Sequence, residues 1–153
     1  MFDIFTSIKR RFNTSFWRFR LAHSGVNTVF DLDVKIFNPT NVSIGRKCNI
    51  NSGVIIQSCE GAKIIIKDNV TLSYNCMLLT GGLVLDNKLA NKAHLSKDIL
   101  INDDVWIGAN SIILPGISLG KGCVIAAGSV VTKNVDDNVI VAGNPAKFIK
   151  AKV

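Results

Sequence analysis

The chain reads as an all-β solenoid with an amphipathic helix at its N-terminus and one loop protruding from the coil. Three observations lead there. Aliphatic residues recur every six positions over most of the chain; Gly and Asn are frequent while Pro is scarce; and two stretches, residues 3–22 and 80–98, stand outside the period.

The period is clearest from Ile101 onward, where Ile101, Ile107, Ile113, Leu119, Ile125 and Val131 are all aliphatic. The residue four further on is small or β-branched in most cases: Val105, Ser111, Ile117, Cys123, Ser129 and Val135. Gly108, Gly120 and Ala126 follow their aliphatics directly. The same frame recurs upstream as Ile44, Ile50, Ile56 and as Ile66, Leu72, Leu78, with Cys48, Val70 and Cys76 in the plus-four place. Six residues fit neither a helical repeat nor strand alternation closed by hairpins. They fit a short strand plus a turn, three of which close a triangular coil of eighteen residues with the aliphatics inside and each coil covering the next. Cys48, Cys76 and Cys123 then read as small buried apolar residues rather than reactive thiols. Cys59 lies outside the frame.

Two interruptions follow from the same frame. Ile56 to Ile66 spans ten positions, an excess of four near Cys59-Glu60-Gly61, and Leu78 to Ile101 spans twenty-three. The second implies a loop of roughly twenty residues, Thr80 to Asp98, and insertions in repeat proteins often map to the binding face. At the N-terminus Phe2, Phe5, Ile8, Phe12, Phe16 and Phe19 recur at helical spacing over residues 3–22. One reading makes this helix a cap over the open end of the solenoid; the other makes it a basic membrane-surface helix, with peripheral contact through residues 2–20. The expected division is residues 1–24 as helix and cap, and 25–153 as the repeat domain with its loop at 79–98.

The 153 residues suffice for one domain whose core needs no disulfide or metal. The net charge of +7 does not point to nucleic acid. Five basic residues fall within the first twenty positions (Lys9, Arg10, Arg11, Arg18, Arg20), others lie near the end, and no nucleic-acid motif accompanies them. An anionic small molecule or a membrane surface accounts for two terminal clusters equally well. The sequence holds no apolar signal core and no run long enough to span a bilayer, and its Cys residues lack paired metal spacing. The expectation is a reduced, cytoplasmic protein.

The stretches Val105-Trp106-Ile107-Gly108-Ala109-Asn110, Ile113-Leu114-Pro115-Gly116, Ala127 to Lys133 and Ala142-Gly143-Asn144-Pro145-Ala146-Lys147 resemble the hexapeptide-repeat acetyltransferases, above all the maltose, galactoside and polysaccharide O-acetyltransferases. The resemblance covers residues 36–150 as a repeat and 99–150 in specific motifs. It implies a left-handed parallel β-helix, acetyl-CoA as cosubstrate without a metal, and a homotrimer with each active site in the groove between two solenoids. It also implies a sugar or glycan hydroxyl as acceptor.

Transfer of an acetyl group from a thioester to a hydroxyl needs a base for the departing proton, and imidazole suits that task near neutral pH. The sequence holds two histidines. His94 lies in the protruding loop, where the resembled family carries its catalytic histidine; His23 lies at the junction of helix and solenoid, where capping or packing is expected. The loop opens Leu79-Thr80-Gly81-Gly82-Leu83, without the histidine that many relatives have there. A histidine base is commonly oriented by an acceptor, and Asp86 and Asp98 are the nearby carboxylates. Asn51 and Asn75 match the family's acceptor-site asparagine ambiguously, each also reading as a turn asparagine, and Asp86 is a third candidate to bind the acceptor. The resemblance assigns the pantetheine path to Ala109, Ala127, Thr132 and Lys133, and the 3′-phosphate to Lys150, with Lys147 as a second cation. Trp106 reads as packing at a coil corner. N-acetylation of an amino sugar and a non-catalytic scaffold stand as alternatives. A zinc enzyme with three histidine ligands is disfavoured by a chain with two.

Overall fold

The structure, a computed structural model, describes residues 4–84 and 94–152. Helix α1 (Ile4–Arg20) leads into five triangular coils. The first is β1 (His23–Ser24), β2 (Val29–Phe30) and β3 (Lys35–Phe37); the second is β4 (Val42–Ile44), β5 (Asn49–Ile50) and β6 (Ile55–Gln57). The third is β7 (Ile64–Ile66), β8 (Thr71–Leu72) and β9 (Met77–Leu79), after which the chain leaves the coil as an antiparallel pair, β10 (Gly81–Leu83) and β11 (His94–Ser96). The fourth coil is β12 (Ile99–Ile101), β13 (Trp106–Ile107) and β14 (Ile112–Ile113); the fifth is β15 (Ser118–Leu119), β16 (Val124–Ile125) and β17 (Val130–Val131). Strands β18 (Val139–Ala142) and β19 (Lys147–Ala151) close the C-terminal end.

Equivalent strands pair in parallel to form three flat faces. The registers put the six-residue aliphatics in line. Ile44, Ile66, Ile101 and Leu119 stack behind the first face. Phe30, Ile50, Leu72, Ile107, Ile125 and Val141 stack behind the second. Ile36, Ile56, Leu78, Ile113 and Val131 stack behind the third. All are buried, most of them completely. The repeat therefore begins a full coil earlier than its aliphatic signature: Ser24 and Phe30 hold the first coil's places but do not read as members of the series.

Each coil turns three residues past an inward side chain. Asn27, Asp33, Asn69, Asn75, Asp104 and Asn110 there have positive φ, as do Gly53, Gly116, Gly122 and Gly128. This is the left-handed conformation that Gly, Asn and Asp tolerate. The plus-four residues are buried just beyond, Cys48, Val70, Cys76, Val105, Ser111, Cys123 and Ser129 among them. Gly108 answers a different need. A Cβ there would sit 2.5 Å from the Ala127 nitrogen and 2.8 Å from the Ile125 carbonyl oxygen, so the next coil's backbone occupies the space.

Two expectations are corrected. Trp106 does not pack at a corner: it points outward from the second face between Thr71 and Val124 and is 55% exposed. The helix does cap the first coil, but not with its phenylalanine row. Thr14 Oγ1 accepts from the Phe30 nitrogen at 3.1 Å and donates to the Phe30 oxygen at 3.2 Å, satisfying the open edge of β2. Asn13 donates to the Asp31 oxygen and Arg18 to the Thr28 oxygen. Leu21 is buried and Trp17 packs on the core. Phe12 and Phe19 stay exposed; Phe2 lies outside the described residues.

Ile107→Ala empties a fully buried place in the second stack and is expected to lower stability by about 2–5 kcal/mol. Ile65→Ala, on the outward side of the first face, should cost less than about 1 kcal/mol. Urea denaturation at one fixed protein concentration compares them; equal losses would contradict the inward–outward assignment.

Candidate active site

The two loop strands leave the solenoid at the corner between the third and first faces. Their root is held by Thr80, which is completely buried. Its hydroxyl accepts from the Cys59 nitrogen at 2.7 Å and donates to the Gln57 oxygen at 3.2 Å, and its carbonyl accepts from the Lys97 nitrogen at 3.0 Å. The four-residue excess at Cys59 thus sits one coil before the loop, at the same corner, and supports it. The Cys59 sulfur lies against Gly81, where an added Cβ would come within 2.5 Å of it. Gly82 lies beside Leu95 and Pro115, so the root also leans on the turn of the coil that follows.

His94 sits on β11 opposite Leu83, exposed to solvent. Asp98, a candidate to orient it, is engaged elsewhere: its Oδ1 accepts from the Lys63 nitrogen at 2.8 Å. Asp86 lies outside the described residues. His23 does not cap or pack. It points outward from β1, exposed, beside Ser43.

Asn51, Asn75, Ala109 and Ala127 occupy a different corner, between the second and third faces. Backbone bonds tie its turns together, from the Asn75 nitrogen to the Ser52 oxygen (3.1 Å), from Asn110 to Tyr74 (2.9 Å) and from Gly128 to Ala109 (2.8 Å). Asn75 has φ 57° and so does the turn work its residue type suits. In the last coils the corner carries Gly108, Ala109, Ala127 and Gly128. Nothing lies within 4 Å of the place a Cβ on Gly128 would take. This is an edge of nearly bare, open backbone, as a ligand running along main-chain groups requires.

Thr132 and Lys133 return to the loop's corner and line a pocket at the C-terminal end together with Pro145, Lys147 and Phe148. Lys150 does not line it; it pairs with Ile140 on the second face. Which of the lysines converge does not follow from the sequence, because the antiparallel return of β19 has no hexapeptide signature.

The candidate residues accordingly flank the third face on two corners of one prism. The outward side of that face is apolar: Ile55, Met77, Ile112 and Val130 stand in register along it, half-buried. Among the described residues no three His, Cys, Asp or Glu side chains gather as a metal site requires.

Comparison with known proteins agrees with this architecture. Residues 99–133 match the family described as the hexapeptide repeat of succinyl-transferase. The chain is 32% identical to a maltose O-acetyltransferase from Clostridium difficile 630, with a TM-score of 0.81 over 91% of this chain and 74% of that one. A hexapeptide-repeat-containing acetyltransferase from Vibrio cholerae O1 biovar eltor, solved in complex with acetyl coenzyme A, superposes with a TM-score of 0.85 at 29% identity, over 91% of this chain and 75% of that one. Galactoside O-acetyltransferase of Escherichia coli K12 is 35% identical over 130 residues, 84% of this chain and 63% of the relative. The chain belongs to the hexapeptide-repeat acetyltransferase family, and the left-handed winding expected from the resemblance comes with that membership. The matched stretch spans 53–63% of the length of three curated relatives.

The cysteines separate by environment. Burial pushes the Cys76 thiol up to about 12 and the Cys123 thiol up to about 11, and raises Cys48 as well. A group held above its usual range stays protonated as pH rises through that range, so these three are thiols rather than thiolates at pH 8. One thiol, that of half-buried Cys59, is expected to react with a soluble disulfide reagent in the native protein, and three more only after denaturant is added. Rapid native-state reaction of all four would contradict the assignment.

Proposed function

We propose that the chain is an acetyl-CoA-dependent O-acetyltransferase acting on a hydroxyl of a sugar or glycan precursor in the cytoplasm, with direct transfer in a ternary complex and His94 as general base. The observation that carries this reading is the pairing of a corner poor in side chains, Ala109 with exposed Ala127-Gly128, with a lysine-lined pocket at Lys133 and Lys147. Such a corner admits a pantetheine arm, and the two cations suit the phosphates at its far end. The acetyl-CoA complex of the Vibrio relative and the maltose and galactoside acceptors named for the other two supply the substrate classes.

The split of the candidate residues over two corners favours a homotrimer. One chain holds His94 at one corner and the Ala109–Ala127 edge at another, and a second copy can set its own edge beside this loop. The apolar outward row Ile55, Met77, Ile112, Val130 is a surface that such contact would remove from water. Light scattering of the purified protein should give three chains per particle; a stable monomer at micromolar concentration would overturn it.

In the reaction His94 takes the proton from the attacking hydroxyl as its oxygen bonds to the thioester carbonyl carbon. The tetrahedral adduct collapses with cleavage of the carbon–sulfur bond, and His94 returns the proton to the departing sulfur. Acetylated acceptor and free thiol leave, and the imidazole is neutral again. Asn51 and Asn75 stand on the neighbouring corner as candidate acceptor ligands.

His94→Ala is expected to lower kcat by about 10²–10⁴ and to leave the KM for acetyl-CoA nearly unchanged. An unaltered kcat on a verified acceptor would move the base elsewhere. Lys147→Ala and Lys150→Ala distinguish the phosphate-binding cation. The variant that loses it should show a raised KM for acetyl-CoA with kcat kept, read from initial rates. Product on an amino sugar but not on its hydroxyl analogue would favour N-acetylation, and no thioester cleavage with either would favour a scaffold.

A further inference from the structure

We propose that α1 docks the protein on an anionic lipid bilayer, with the row Ile8, Phe12, Phe16, Phe19 laid into the surface and the opposite side of the same helix held on the solenoid. The inference is independent of the acetyl-transfer reading.

The geometry of the cap is the first support. The helix meets the first coil through Asn13, Thr14, Trp17 and Arg18, which take up the open edge of β2, and Leu21 just beyond its end is buried. At 100° per residue these positions lie on the side away from Phe12. The row on the other side is correspondingly wet: Ile8 is 58% exposed, Phe12 80%, Phe16 47% and Phe19 91%. A cap needs one apolar side, and this helix has a second, richer one that stays largely exposed, with Leu32 and Asp33 of the solenoid at its border. Four large apolar side chains in one row form a contiguous patch of the kind that marks an interaction surface.

Charge selects the partner. No acidic residue occurs from Ile4 to Arg20. Helical geometry puts Lys9 and Arg20 on one flank of the row and Arg11 on the other, all three exposed. Arg20 also lies over the Phe16 ring, 5.6 Å from its centroid. The other two cations face inward, Arg10 toward Asp31 at 3.8 Å and Arg18 to the Thr28 oxygen. Among the described residues one carboxylate borders the row: Asp33 lines the groove formed by Ile8, Lys9, Phe12 and Phe16. An aromatic row between cationic flanks is the pattern of a helix lying in the headgroup region, where rings enter the acyl boundary and cations meet anionic lipid. A second copy is a poor occupant. A two-fold contact would bring Lys9, Arg11 and Arg20 of both helices together with Asp33 of each copy as the bordering acid, leaving the cations in excess. The helix is too short and too polar to cross the membrane, so docking is superficial.

Docked this way, the first coil faces the bilayer and the C-terminal pocket at Lys133 and Lys147 faces away from it, since the helix sits on the N-terminal edge of the stack.

Co-sedimentation of the full chain with vesicles tests the proposal. Binding is expected to phosphatidylcholine vesicles containing phosphatidylglycerol and to be at least about tenfold weaker without the anionic lipid or in high salt. The double variant Phe12→Ser, Phe19→Ser and the triple variant Lys9→Gln, Arg11→Gln, Arg20→Gln should each lose binding by a similar factor, with unchanged circular dichroism and particle mass. None of these residues lies at the candidate active site, so acetyl transfer to a soluble acceptor, where present, should persist. Failure of the intact chain to bind anionic vesicles would overturn the proposal. So would a fall in particle mass on substitution of Phe12 and Phe19, which would show the row to be covered by another copy.

Discussion

Everything in this molecule depends on one constraint: each inward aliphatic must lie directly over its counterpart in the next coil. The parallel ladders fix the spacing between coils and the six-residue period fixes the place within a coil. Ile50, Leu72, Ile107 and Ile125 therefore form a continuous column rather than a scattered core. A column of this kind has no centre. Each coil is stabilised by its two neighbours and contributes to both, so stability is cooperative along the axis and weakest at the ends. The protein closes its ends by unlike means. A helix supplies side-chain hydrogen bonds to the first edge, and β19 supplies an antiparallel strand beyond β18 at the last.

The same constraint generates the candidate site. Stacking forces every coil to turn at the same three corners, and a turn near its neighbour's backbone has room for little more than hydrogen at the critical place. Gly108 satisfies that need, and the left-handed turns at Asn110 and Gly128 meet the conformational one. With Ala109 and Ala127 between them, the outcome is an edge almost free of side chains. Residues demanded by the solenoid thereby create the kind of surface that an extended cofactor arm uses. The period breaks at two places on another corner, the Cys59 excess and the β10–β11 pair, and there the stacking requirement is lifted.

Much of this was legible in the sequence because the period-six signal is read by counting and each hexamer repeats the evidence of the last. The buried cysteines were legible for the same reason, each occupying a plus-four place. Three features were hidden by the physics rather than by a weak signal. The first coil carries Ser24 and Phe30 in the inward places where later coils carry aliphatics, and Phe30 is completely buried there. Trp106 precedes an inward residue on a two-residue strand and so must point outward, which alternation dictates but residue type does not suggest. The distribution of Asn51, Asn75, Ala109 and Ala127 on one corner and of His94 and Thr132 on another follows from the phase of each hexamer within its coil. That phase becomes visible only once the three faces are assigned.

The helix shows why periodicity identifies a face without saying what the face meets. Phe5, Ile8, Phe12, Phe16 and Phe19 recur as a core-facing row would, and a cap over an open solenoid end offers an obvious destination. The end of a β-solenoid, however, exposes two things at once: apolar side chains of the last coil and the unpaired donors and acceptors of its edge. Hydrogen-bonding groups left without partners are the more costly of the two, because each loses water without compensation. A side carrying Asn13, Thr14 and Arg18 around Trp17 meets both demands, whereas a row of phenylalanines meets only the first. The polar side therefore turns inward and the apolar side is left outward. The hydrogen-bond requirement of the β2 edge sets the rotation of the helix, and that rotation leaves Phe12 and Phe19 largely exposed.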